Sequence, residues 1–308
     1  MLFQQESFAI FFAAVLVLHF MNLPWKLRKF NLLICSYVFY AAWQPAFVLL
    51  IMLSTVIDWF AAKNMYYARS NVVRNAWLLI SLAANFGMLF YFKYGQFLFD
   101  NYGQLIGLLG LEHHPRDLGI TLPVGISFYT FQTLSYSFDA YRRRSEPWPD
   151  FLDYALYVTF FPQLVAGPIV RSSSFLPQCI EPKRFDVQKL SWGLTLALIG
   201  IFEKVVIADG LLAPITERAF GQPDSMRDIV PPGTIEEAWT GVLSFSMQIF
   251  GDFAGYSTTA IGVAMCLGFN FQDNFRFPYA AIGFSDFWQR WHVSLSSWLR
   301  DYLYIPLG

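Results

Sequence analysis

The sequence predicts an all-α, polytopic membrane protein forming one domain over residues 1–308, and three observations carry that prediction. Only 14% of the residues are charged, against about 25% in an ordinary soluble domain, while 56% are hydrophobic and 19% aromatic. Apolar runs recur along most of the chain, which fits repeated crossings better than a soluble domain with one anchor. Basic clusters separate those runs: Lys26, Arg28 and Lys29, then Lys63, Arg69 and Arg74, then Arg142, Arg143 and Arg144. A net charge of −1 gives no reason to expect a nucleic-acid partner. The three cysteines, Cys35, Cys179 and Cys266, lie far apart without metal-ligand spacing and read as small buried hydrophobes.

The first apolar run, Phe8 to Leu23, follows Glu6 with no Lys or Arg before it and no small-residue cleavage pattern after it. It reads as a retained first span, not a cleaved leader. If the three basic clusters face one side, an even number of crossings separates each pair, with the N-terminus outside. Between the first two clusters the run is interrupted at Trp43, Gln44 and Pro45, so two short segments turning near Pro45 are expected. Between the second and third, "AWLLISLAANFGMLFYF" leads outward and "ITLPVGISFYTFQTLSYSF" leads back. The stretch between them is expected outside, partly as an interfacial amphipathic piece.

"FLDYALYVTFFPQLVAGPIV", broken by Pro162 and Pro168, suits a re-entrant segment inside a protein-lined cavity. An apolar run from Trp192 to Leu212 carries Glu203 and Lys204. After a polar loop, the last full span runs from about Trp239 to Phe269.

Ionisable groups inside lipid cost ~2.5–3.5 kcal/mol on insertion scales, so each one needs a reason. Asp252 lies between Gly251 and Gly255, whose small-xxx-small spacing lets another helix approach. It serves either as a structural hydrogen-bonding group across that contact or as a functional one. Glu203 and Lys204 are adjacent and do not face each other on a helix, so Lys204 is expected to snorkel while Glu203 pairs elsewhere.

In "DFWQRWHVSLSSWLRDYLYIPLG", Ser285 can cap a helix starting at Asp286, and Asp286 can pair with Arg290. A continuous helix would place Trp288, His292 and Ser296 on one face, Trp291 and Trp298 on another, with Pro306 as its end. Two readings stand: an interfacial aromatic anchor, or a histidine in a polar cleft that water can reach. No phosphate loop, HExxH helix or GxSxG elbow is present, and "GISFYT" lacks the last glycine. Ser294, Ser296 and Ser297 lie near His292, but no acid completes a triad. His113–His114 is a weak metal signal, no metal is expected, and His19 reads as a packed or interhelical histidine.

Three ordered stretches then carry a resemblance: "FPQLVAGPIVR" (161–171), "FGDFAGYSTTAIGVAMCLGFNFQDNFRFPY" (250–279) and "SDFWQRWHVSLSSWLRDYLYIPLG" (285–308). Together they resemble the membrane-bound O-acyltransferase family, in the branch of alginate O-acetyltransferases and relatives that acylate cell-surface polymers. The resemblance implies a ring of transmembrane and re-entrant helices around a central tunnel, in the bacterial inner membrane. It implies transfer of an acyl group, typically acetyl from acetyl-CoA or another acyl thioester, from the cytoplasm to hydroxyls of an exported polysaccharide or a partner protein, with an extracytoplasmic esterase-like or acyltransferase partner. No bound cofactor is implied; the thioester is a substrate.

In the family motif the histidine matches His292, expected either as the base or as the group that positions the thioester beside a second family histidine. Residue type and motif position further assign Arg290, Arg300 and Arg171 to donor phosphates and Trp288 and Trp291 to a water-excluding wall. Gln163, Ser296 and Asp252 join them as candidate substrate contacts. A second family histidine is expected beyond Gly308, so the 308 residues read as a fragment. The alternatives are a transporter or channel subunit with Asp252, Glu203 and His292 along its path, and an inert scaffold.

Overall fold

The computed structural model describes residues 1–108, 119–220 and 233–308. His113–His114 and most of the polar loop after Phe220 lie outside the described residues. The described residues form helices and turns without a strand, as predicted. They divide into two compact units. One comprises Met1–Arg28, Ala166–Val170 and Pro182–Leu307; the other comprises Lys29–Val165 and Arg171–Glu181, with Gly308.

The second unit shows what lipid as a solvent does to side-chain distribution. α2 (Trp25–Ala41, entering this unit at Lys29) and α3 (Ala46–Tyr67) turn at the predicted Trp43-Gln44-Pro45 break. α4 runs from Asn71 to Leu108 in one piece, so residues 93–108 continue the helix instead of forming a separate interfacial segment. α4 buries Ser81, Asn85 and Gly103 and exposes Val72, Leu79, Phe97 and Leu105. α5 (Ile126–Tyr141) likewise buries Thr130, Gln132, Thr133, Ser135 and Ser137. Water would favour the reverse; hydrocarbon outside and protein partners inside favour this.

Asp58 of α3 organises that interior. Its carboxylate accepts the Ser81 hydroxyl at 2.5 Å and the Asn85 amide at 2.8 and 3.0 Å, while Thr133 donates to Asn85 Oδ1 at 2.9 Å. Helices α3, α4 and α5 are therefore tied by one buried acid. Lys29, expected among cytoplasm-facing cations, is instead buried and ion-paired with Asp153, which also accepts the Trp148 indole N–H at 3.0 Å. A buried charge needs a partner more than it needs a side of the membrane.

The predicted re-entrant stretch is α6 (Phe151–Thr159, capped by Asp150) and α7 (Phe161–Leu164), parted at Phe160 with Pro162 in the first turn of α7. α5 starts at Gly125, whose φ of 76° and closeness to the Leu164 carbonyl leave no room for a side chain. α8 (Ser172–Phe175) and a 3₁₀ turn, Leu176–Cys179, complete this unit.

In the first unit, α1 (Glu6–Phe20) ends on His19, whose Nε2 meets the Leu267 carbonyl at 3.0 Å, the packed role predicted for it. Arg28 is buried too: it donates to the carbonyls of His19 and, at 2.6 Å, Lys183. Two of the three cations in the first basic cluster are thus used internally, which weakens the charge count that set the predicted orientation.

α9 (Val187–Phe202, capped by Asp186) packs against α11 (Ile235–Cys266, opened by a Thr234/Glu237 capping box). Between them come a π-helix, Glu203–Leu212, and α10 (Ala213–Phe220). Backbone approach is closest where Gly193 faces Gly262 and Gly200 faces Gly255. The close approach predicted from the Gly251/Gly255 spacing is present and is tightest at Gly255. A Cβ on Gly255 would lie 2.6 Å from the Gly200 carbonyl, whereas one on Gly251 would meet Ala208 at an ordinary 3.4 Å.

By length and apolar composition, two described helices are able to cross a membrane, α3 and α4. The other runs read as crossings are shorter or interrupted: α1 has 15 residues, and the 192–212 run changes winding at Glu203. α11 has 32 residues, but its glycines, serines, threonines and Asp252 leave it no stretch as apolar as those of α3 and α4.

Gly200→Leu is expected to destabilise the folded protein by at least ~1–3 kcal/mol, because the facing backbone of α11 cannot withdraw as a flexible side chain would. Gly107→Ala, with open space around it, is expected to be neutral or stabilising. Thermal unfolding in detergent checks both; equal stability of the two variants would contradict the close crossing.

Candidate functional site

The predicted continuous helix through His292 does not form. α12 covers Gly283–Arg290, the chain breaks at Trp291 and His292, and α13 covers Val293–Leu299. A second π-turn, Arg300–Tyr304, leads into α14 (Ile305–Leu307), which includes Pro306 instead of ending at it. Ser285 sits inside α12 and does not cap it; the Asp286 carboxylate accepts the N–H of Ile282 at 3.0 Å and holds Arg290 at 2.7 Å, the pair predicted.

His292 adopts φ 43° and ψ 54°, a left-handed conformation rare outside glycine. It therefore shares no helical face with Trp288 and Ser296. Its strain is held by backbone bonds on both sides: Arg276 N–H donates to the Arg290 carbonyl at 2.9 Å, and Val293 N–H to the Asn274 carbonyl at 2.8 Å.

The ring of His292 is buried, with 8% exposure, and forms a T-shaped contact with Phe253 at 4.6 Å and an 86° interplanar angle. Its Nδ1 lies 3.0 Å from Asn274 Oδ1. The same oxygen receives the Ser294 backbone N–H at 3.3 Å and its hydroxyl at 2.8 Å. The Ser294 hydroxyl in turn accepts the N–H of Ile169 at 3.0 Å, and Asn274 Nδ2 donates to Ser257 at 3.1 Å.

This network assigns the tautomer. A backbone N–H can only donate, so the amide atom facing Ser294 is the oxygen, and the imidazole nitrogen sharing that oxygen carries the hydrogen. The neutral ring is therefore Nδ1–H, and Nε2 bears the lone pair. Burial disfavours the imidazolium and pushes its pKa down from 6.5 to about 4. At neutral pH the group is a neutral base with a fixed tautomer.

Around it, Trp291 is boxed by Phe250, Phe275 and Phe287, the last stacked at 5.5 Å with an 18° tilt. Ser296 is a structural hydroxyl here, donating to the Trp291 carbonyl at 3.1 Å. Trp288 is largely exposed on α12, Arg290 is engaged by Asp286, and Arg300 is exposed with Asp301 at 2.8 Å. Asp252 sits one residue before Phe253 and pairs with Lys204 at 2.5 Å. Lys204, expected to snorkel, is held between Asp252 and Asp209, the latter at 2.7 Å.

Gln163 and Arg171 belong to the other unit; Gln163 is buried there and donates to the Tyr157 carbonyl at 2.6 Å. The structure thus gathers His292, Trp291 and Ser296 with Ser294, noted from sequence only as a neighbour of His292, and adds Asn274, Ser257 and Phe253, which were not singled out from sequence. Asn274 had a signal: an asparagine inside the aromatic stretch "FNFQDNFRFPY". No cluster of three or more His, Cys, Asp or Glu suited to a metal occurs among the described residues.

Comparison with known proteins adds an independent line. Residues 141–308 match the model of the membrane-bound O-acyltransferase family. The chain is 37% identical to a Pseudomonas aeruginosa protein named "Probable alginate O-acetylase AlgI", covering 100% of this chain and 57% of that one. It is 36% identical to a Helicobacter pylori peptidoglycan O-acetyltransferase over 91% of this chain and 56% of the relative. A Bacillus subtilis teichoic acid D-alanyltransferase is 31% identical over 63% of this chain and 47% of its own length. The chain therefore spans a little over half the length of the first two relatives.

Between pH 6.5 and 4 the unfolded chain protonates His292 while the folded ring stays neutral, so acidification through that window lowers stability, by at most ~3 kcal/mol from this group. His292→Gln is expected to remove that part of the pH dependence, leaving stability above pH 6.5 on its plateau. Unfolding midpoints across pH 4–8 check this; parallel curves for both proteins would contradict it.

Proposed function

This chain belongs to the membrane-bound O-acyltransferase family, and from that premise we propose that the protein containing it transfers an acyl group from a cytoplasmic thioester to a hydroxyl of an exported polymer. The observation that carries the reading is the buried His292 ring, oriented by Asn274 and neutral at physiological pH.

The chemistry requires little more than such a base. Nε2 removes the proton from the acceptor hydroxyl as its oxygen attacks the thioester carbonyl; the carbon–sulfur bond breaks, and the thiolate leaves and takes up a proton. Aromatic walls around Trp291 restrict water, which would otherwise hydrolyse the donor. Arg290 and Arg300 remain the proposed contacts for donor phosphates, with Trp288 along the substrate path.

An acetyl donor such as acetyl-CoA, a polysaccharide acceptor and an extracytoplasmic partner are part of the same proposal. So is a multi-pass position in the bacterial inner membrane, with one domain of helices around a tunnel. Support comes from the relatives' names, each joining an acyl-transfer activity to a polymer: alginate, peptidoglycan or teichoic acid. The apolar exteriors of α3 and α4 support the membrane setting.

His292→Ala in the full-length protein is expected to reduce polymer acylation on the order of 10²–10⁴-fold with an unchanged membrane level. Normal acylation in that variant would sink the role of His292. Solute flux without dependence on a thioester would instead favour a transporter.

A further inference from the structure

Lys204 and Asp209 stand five residues apart, and on an α-helix such residues point about 140° away from each other. They meet at 2.7 Å because Glu203–Leu212 is wound as a π-helix, whose i→i+5 bonds bring residues five apart onto neighbouring turns. The same ammonium reaches Asp252 of α11 at 2.5 Å. One cation therefore joins the π-helix to α11, and the winding is what lets Asp209 share it.

The place on α11 matters. Phe253 follows Asp252 and packs on the His292 ring, and Ser257, five residues beyond Asp252, accepts from the Asn274 amide that holds Nδ1. Both α11 contacts of the imidazole site thus lie within two turns of the ion pair. Between them along α11 Gly255 leaves no space: a Cβ there would lie 2.9 Å from the Lys204 amide and 3.1 Å from Glu203 Cβ. Glycine contact and an ion pair thus meet at the same crossing.

We propose that Lys204 is a positioning residue for His292: its pairs with Asp209 and Asp252 fix the register of α11 that presents Phe253 and Ser257 to the imidazole site. This rests on the reading of His292 as the base. A misplacement of about 1 Å is enough to cost up to ~100-fold in rate. Loss of the pair therefore lowers kcat without touching the donor.

The test uses full-length protein in membranes, with kcat and donor KM expressed per folded molecule. Lys204→Met is expected to lower kcat by roughly 10–100-fold with donor KM unchanged, and Lys204→Arg to recover most of the loss. Because Lys204 and Asn274 act through the same ring, the loss in Lys204→Met/Asn274→Ala should fall short of the product of the two single losses. Wild-type kcat in Lys204→Met, or a loss wholly explained by less folded protein, would overturn the proposal. Multiplicative losses in the double variant would do so too.

His292→Ala measured in parallel separates the two readings. If it is active, the base assignment fails; if it is inactive while Lys204→Met has normal kcat, only the positioning role fails. Should Lys204→Met not accumulate, Asp209→Asn, which keeps the pair to Asp252, is judged by the same kcat criterion. Failure of both variants to accumulate would mark the pair as a folding element and overturn the proposal.

Discussion

The side chain of Asn274 joins three stretches that are distant in sequence: Ser257 on α11, His292 at a left-handed turn, and Ser294 at the start of α13. Through Ser294 and Ser257 it also reaches the backbone of residues 166–170, the middle of the proline-rich motif. An amide suits this position because it offers acceptor and donor on opposite atoms of one rigid plane. Replacing it by a carboxylate would supply a charge and lose the donor to Ser257. The orientation of the imidazole, and with it the basic nitrogen, follows from this one group.

The same constraint recurs through the chain. In lipid, a polar group that the protein does not satisfy stays unsatisfied, so polar residues gather inside and become connectors. Asp58 ties α3 to α4 and α5 and Lys29 meets Asp153 inside the protein, while on a more exposed side Lys204 joins the π-helix to α11. Where side chains cannot do this, glycine brings the backbones together, as at Gly200 and Gly255. The charged residues are few, and many of them hold helices in place.

That economy explains what was legible in the sequence. The break at Pro45, the interruption at Pro162, the packed His19 and the Asp286–Arg290 pair are local effects of residue type and spacing, and all are present. The helical face of His292 was not legible, because a positive φ at a non-glycine residue is imposed by distant partners such as Asn274. The basic cluster at Lys26–Lys29 carries less orientation signal than its count suggests, for a related reason. Loop cations mark a membrane face only when solvated, and Arg28 and Lys29 are consumed by carbonyls and Asp153. Asp58 could have been found, since a carboxylate in "LLIMLSTVIDWF" demands a partner. Lys204 meeting Asp209 could not, because it depends on π-helical winding.

The claim on which the functional account turns is the state of one ring, and ¹⁵N NMR of histidine-labelled protein measures it most directly. With His292→Gln used to assign the signal, a neutral imidazole protonated on Nδ1 from pH 5 to 8 is the result this account predicts. An Nε2–H tautomer, or an imidazolium titrating near pH 6.5, would contradict it.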